Sequence, residues 1–124
     1  MDLHEVIYSD AVPIESYGPG FFRINGEVIR GGALIHAKGA RSWGGYDDLQ
    51  TVLDMKPHVD FILLGTGAVM TPVPAAFRRA LDAAGIGVEP MASPTACRTY
   101  NVLVSEGRRV AAVLIPLEAT ADDA

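Results

Sequence analysis

Along the first forty residues the apolar positions fall in short runs broken by turn formers, which is the pattern of β structure. Val6 to Tyr8 is one such run, and Tyr17-Gly18-Pro19-Gly20 is dense in turn formers. Phe21-Phe22-Arg23-Ile24 and Val28-Ile29-Arg30 then flank Asn25-Gly26, a dipeptide whose tolerance of positive φ suits a two-residue hairpin turn. The second strand of this hairpin is expected to run on through Ala33-Leu34-Ile35. Gly31-Gly32 invites a bulge or sharp bend on the way, because no side chain restrains the backbone there.

After Trp43-Gly44-Gly45 the period changes. Leu49, Val52 and Leu53 share one helical face, Asp47 or Asp48 is available as N-cap, and Pro57 closes the helix. Asp60-Phe61-Ile62-Leu63-Leu64-Gly65 is a continuous apolar run, as expected of a strand covered on both faces. Thr71-Pro72 supplies an N-cap and first-turn proline for a second helix striped by Phe77, Ala80, Leu81 and Ala84 and ended by Gly85. Gly87-Val88-Glu89 reads as a short strand, and Ser93-Pro94 opens a third helix through Cys97, Tyr100 and Val104 that stops before Gly107. The run Val102-Leu103-Val104 also suits a strand in a hairpin about Glu106-Gly107, while the cap and terminal glycine favour the helix. Val110 to Ile115 is the last strand.

Strands alternating with helices from Asp60 onward predict an α/β fold in three layers. Its centre is a mixed, partly parallel sheet, with helices on one face and the N-terminal β-hairpin layer on the other. Residues 1–117 form the single expected domain, and the acidic segment 118–124, with nothing to bury, reads as a mobile tail.

Composition narrows the function classes. The 124 residues, 49% hydrophobic and 20% charged, are those of a globular domain able to build one core. The formal charge of −5 argues against a nucleic-acid partner, which needs Lys and Arg concentrated on one face. One cysteine, Cys97, supports neither an internal disulfide nor a thiolate zinc cage, pointing to a reducing, cytoplasmic compartment. The start, Met1-Asp2-Leu3-His4-Glu5, carries acids where a secretory signal carries bases, and no apolar stretch reaches the roughly 18 residues of a membrane span.

Candidate chemistry is sparse. Gly65-Thr66-Gly67-Ala68-Val69-Met70 follows a buried strand and precedes a helix, as a dinucleotide fingerprint does. Yet Met70 replaces the third glycine, and Pro72 and Pro74 remove two amide donors from the helix start. In open α/β sheets clefts form beyond the carboxyl ends of the strands, so the glycine loop and Ser93 are expected to border one together. Ser93 capping a helix with Arg98 one turn in is a combination able to hold an anion; in the blander reading Ser93 caps only its helix and Arg98 pairs with a surface acid. Cys97 reads better as a small buried hydrophobe than as a nucleophile. His4, His36 and His58 lack metal-ligand spacing, Asp47-Asp48 reads as capping, and Trp43 reads as core. No metal and no cofactor is indicated.

Tyr17-Gly18-Pro19-Gly20-Phe21, Leu63-Leu64-Gly65-Thr66-Gly67 and Ala96-Cys97-Arg98-Thr99-Tyr100-Asn101-Val102-Leu103, followed by Glu106-Gly107-Arg108, resemble the Mth-938-like domain family. The resemblance spans residues 5–116. It implies a three-layer fold around a mixed sheet. It supplies no catalytic mechanism or cofactor. The family's mitochondrial members include an assembly factor of respiratory complex I, so the resemblance implies protein partners and, here, a bacterial, cytoplasmic member. Gly65, Thr66, Gly67, Arg98, Tyr100 and Asn101 are the positions matching the family pattern.

Two functional readings follow. The first is a non-enzymatic binding or assembly factor acting on protein partners, such as those of a respiratory or inner-membrane complex. It would dock through the hairpin of residues 21–35, whose exposed strand edge also suits self-association. The second is a binder or enzyme for a small anionic ligand, using a cleft bordered by Gly65, Thr66, Gly67, Ser93, Arg98 and Tyr100.

Overall fold

A computed structural model describes residues 5–7 and 9–118; the expected acidic tail, Glu118 apart, lies outside the described residues. A three-stranded antiparallel sheet comprises β2 (Ile14–Gly18), β3 (Phe21–Ile24) and β4 (Glu27–Arg30). Its β3–β4 turn is Asn25-Gly26, with φ of 51° and 79°, the positive values that the two central residues of a type I′ turn require.

The larger sheet has six strands in the order β1-β6-β5-β9-β7-β8. They are β1 (Glu5–Ile7), β5 (Gly32–His36), β6 (Gly39–Trp43), β7 (Phe61–Gly65), β8 (Gly87–Met91) and β9 (Val110–Leu114). β7 runs parallel to β8 and β9, whereas β5 pairs antiparallel with both β9 and β6. The expected α/β architecture with a mixed, partly parallel central sheet is therefore present. The hairpin strand does not run on to Ile35. Gly31, at φ 82°, ends β4, and the chain enters the other sheet as β5, whose Ala33, Leu34 and Ile35 are buried. Only β4 retains an open edge from the segment 21–35.

The helices are α1 (Leu49–Leu53), α2 (Ala75–Ala83) and α3 (Ser93–Ser105). They do not share one face. α1 and α2 pack with Leu34, Ile62, Leu64, Ala111 and Val113 on one side of the large sheet. α3 packs with Ala33, Ile35, Leu63, Ala112 and Leu114 on the other, beside Phe22, Ile24 and Ile29 of the small sheet. The cause is topological. The β7-α2-β8 connection moves outward along the sheet, and β8-α3-β9 moves back past β7, so two right-handed crossovers in opposite directions put their helices on opposite faces.

Two local expectations shift, at the start of α2 and the end of β8, while the helix favoured over 93–105 is borne out. α2 begins at Ala75 rather than after Thr71, because Pro74 (φ −53°, ψ 130°) is extended and a proline disfavours helical backbone in the residue before it. Segment 93–105 is helix rather than hairpin. β8 continues to Met91 through Pro90, tolerated because β8 is an edge strand. α3 ends in a full Schellman motif: Gly107, at φ 77°, donates to the Val104 carbonyl and Arg108 to that of Leu103. No helix among the described residues is long and apolar enough to cross a membrane.

Candidate functional site

The carboxyl ends of β7, β8 and β9 come together around one serine. Gly65 lies so close to α3 that a Cβ there would sit 2.6 Å from Ser93 Oγ and 2.8 Å from Leu114 Cδ2, so the position admits only glycine. Beyond it the backbone turns at Gly67, with φ 109°. The Gly67 N–H donates to Ser93 Oγ at 2.9 Å, and that hydroxyl donates to the Ile115 carbonyl at 2.6 Å. The Ser93 N–H donates to the Gly67 carbonyl at 2.7 Å. Ser93 is thus the first residue of α3, not its cap: Ala92 holds the N-cap position, and the fully buried serine side chain is directed at the loop.

Thr66 closes the loop on itself. Its N–H donates to the Met91 carbonyl at 2.8 Å, and its hydroxyl donates to the Val69 carbonyl at 2.9 Å while accepting from the Thr71 N–H at 3.0 Å. The amides of Thr66, Gly67 and Thr71 are therefore engaged within the protein, where a phosphate-binding loop would aim its donors outward.

The resulting cleft, about 540 Å³, has the segment from Thr66 to Val69 and Thr71 on one side and Ile115 to Glu118 on the other, with Pro19 at its end. Pro19 reaches it because Gly20 donates to the Leu117 carbonyl at 2.8 Å and Pro19 and Leu117 form a parallel bridge. The lining is mainly apolar, and Val69 and Met70 stand 65% and 54% exposed in the loop.

Of the six residues read as ligand-binding, Gly65, Thr66, Gly67 and Ser93 converge. Arg98 is exposed, with Nη2 3.4 Å from Thr95 Oγ1, and does not line the cleft. Tyr100 is fully buried in the core between α3 and the small sheet. Cys97 is buried, and burial, only partly offset by the Arg98 guanidinium, pushes its thiol up to about 12; it packs as a hydrophobe. Trp43 is core as expected, its Nε1 donating to the Asp48 carbonyl at 3.0 Å. Asp48 holds the N-cap position of α1, as one of the two expected candidates, but makes no side-chain cap bond; its carboxylate accepts from the Gly44 N–H and the Thr51 hydroxyl. Among the described residues no three His, Cys, Asp or Glu side chains gather as a metal site. His36 and His58, unremarkable in sequence, have ring centroids 5.7 Å apart.

The far wall of the cleft, Ile115 to Glu118, had no motif to announce it, because the Pro19–Leu117 bridge spans almost the whole chain. The one available signal was an exposed Val-Met pair in a glycine loop.

Residues 14–115 match the family described as protein of unknown function (DUF498/DUF598), and the chain belongs to that family. It is 49% identical over 110 residues to an uncharacterised protein of Rhodobacter capsulatus, covering 89% of each chain. It is 36% identical over 110 residues to NADH dehydrogenase [ubiquinone] 1 alpha subcomplex assembly factor 3 of Danio rerio, covering 83% of this chain and 63% of that relative. The chain thus spans just under two-thirds of the assembly factor's length. The solution structure of a Mth938-like domain from Bordetella pertussis superposes with a TM-score of 0.72 at 23% identity, over 98% of this chain and 96% of the other. The family resemblance and the fold it implied are both borne out.

Proposed function

We propose that this chain is a non-catalytic assembly protein, acting from the cytoplasm, that takes an apolar segment of a partner into the cleft between the glycine loop and residues 115–118. The partner class we infer is a subunit of a respiratory NADH dehydrogenase complex. The observation that carries the reading is the cleft itself: mainly apolar walls that include the exposed Val69, with exposed Met70 next to it in the loop, and loop amides already satisfied by Ser93, Thr66 and Met91. Exposed apolar side chains around a concave apolar surface favour association with another apolar surface. The similarity to an assembly factor of that complex supports the choice of partner. The cleft replaces the strand edge of residues 21–35 as the docking surface, since half of that segment is interior sheet.

The anionic-ligand reading has less behind it. An anion in this cleft would lack the amides of Thr66, Gly67 and Thr71 and the guanidinium of Arg98. The test is to express Val69→Asp and Met70→Asp in place of the native chain and follow assembly of NADH dehydrogenase. We expect loss of co-purifying subunits and less assembled complex at unchanged melting temperature. Normal assembly in both variants would refute the reading, and a melting shift with a nucleotide or carboxylate abolished by Arg98→Ala would favour the ligand instead.

A further inference from the structure

The opposite end of the large sheet carries a second concavity, of about 330 Å³, that has no acid in its lining. It lies where β5 ends and β9 begins. His36, Lys38, His58, Arg108 and Arg109 border it, together with Pro57, Val59 and Val110. Five basic side chains around one hollow are unexpected in a chain of net charge −5 with only ten Lys and Arg in total.

We propose that this pocket binds a phosphate-type oxyanion, either a free phosphate compound or the phosphate of a lipid headgroup. The residues are held ready for it. Arg109 pairs at the surface with Asp60, 3.4 Å from its Nε, and donates from Nη2 to the Pro57 carbonyl at 3.1 Å, contacts that keep it at the pocket's edge. Arg108 lies over the Phe61 ring, 5.4 Å from the centroid, a stacking that orients the guanidinium without neutralising it. Among the described residues Lys38 makes no ion pair. Its backbone N–H donates to His36 Nδ1 at 3.3 Å, which leaves the proton of the neutral ring on Nε2 as a free donor.

The negative end of α3 does not oppose this. Its terminal carbonyls at Leu103 and Val104 are already taken by Arg108 and Gly107, so the partial charge that would repel an anion is spent within the Schellman turn. With Arg109 already paired to Asp60, Lys38 and the Arg108 guanidinium beside two imidazoles 5.7 Å apart are the positive charge left for a bound anion to offset. The charged groups facing His36 are His58, Lys38, Arg108 and Arg109 from the pocket, and Glu5 and Arg41 from β1 and β6. Glu5 is the one carboxylate among them, and it lies outside the pocket. A bound oxyanion therefore favours the protonated form of His36.

The test titrates inorganic phosphate and pyrophosphate into the full chain while following the imidazole NMR signals, and in parallel measures sedimentation with phosphatidylglycerol and phosphatidylcholine vesicles. The expected result is movement of the His36 and His58 signals with free phosphate, or selective binding to the anionic vesicles. Either effect should weaken about tenfold in Lys38→Gln and again in Arg108→Gln, since each removes one charge-assisted contact. Both side chains lie at the surface, so both variants should fold. Unmoved imidazoles together with equal behaviour on the two vesicle types would overturn the proposal, as would equal affinity in wild type and the double variant. The assembly reading stands or falls separately, on Val69 and Met70.

Discussion

The Ser93 hydroxyl accepts from the Gly67 N–H and donates to the Ile115 carbonyl, so one oxygen joins the exits of β7 and β9 to the start of α3. Nothing else in that space can replace it, because Gly65 is packed against the serine too tightly for a Cβ. Ser93→Ala leaves a buried donor and a buried acceptor unmade, and we expect it to lower unfolding stability by about 2 kcal/mol. Gly65→Ala should cost at least as much by overpacking, roughly 1 to 3 kcal/mol. Urea titration of the two variants and the double mutant checks both figures. A double-mutant loss clearly smaller than the sum would show that alanine at 65 uses the room that serine vacates. The glycine loop was legible in the sequence as a tight turn after a buried strand. The reason for its glycines was not, since the side chain that demands one of them lies 28 residues further on.

At the scale of elements, α3 owes its position as much to Asn101 as to its apolar face. The Asn101 amide donates to the Ile14 carbonyl at 2.9 Å and accepts from the Ile14 N–H at 2.8 Å, filling the place of a neighbouring strand beside β2. This contact holds the small sheet against the helix across 87 residues of sequence. Asn101→Leu removes both bonds and leaves the Ile14 backbone partly buried without them, so we expect about 2 kcal/mol of destabilisation. Hydrogen exchange should show the loss first at Ile14. The Asn25-Gly26 hairpin was readable because positive φ has so few residue solutions. β6 was not, because Gly39-Ala40-Arg41-Ser42-Trp43 has neither alternation nor an apolar run; it is a strand through its pairing with β5 and β1. The division of helices between the two faces was equally hidden, since it depends on strand order, which local pattern does not encode.

For the whole molecule the consequence lies in pH. Burial first, and then the nearby His58, depress the His36 imidazole below its ordinary value, with Glu5 acting weakly the other way. The unfolded chain then binds a proton more readily than the folded one in the window just below the ordinary histidine value of about 6.5. Stability from the neutral His36 is complete above that value and is lost as pH falls through the window to the depressed folded value. Asp48, whose carboxylate is lowered chiefly by the Gly44 N–H and then by the Thr51 hydroxyl, adds a separate loss only at more acid pH, below the ordinary carboxylate range. In a buffer free of oxyanions, melting temperature should therefore decline between neutrality and mildly acid pH, and His36→Gln should flatten that decline while leaving the more acid limb in place. Phosphate bound in the basic pocket offsets the first limb, because its charge favours the His36 imidazolium that burial disfavours. Two melting series, in phosphate and in an uncharged-ligand buffer of equal ionic strength, separate these effects. A decline equally steep in both would mean that His36 answers only to its burial and its neighbours in the protein, and not to a bound oxyanion.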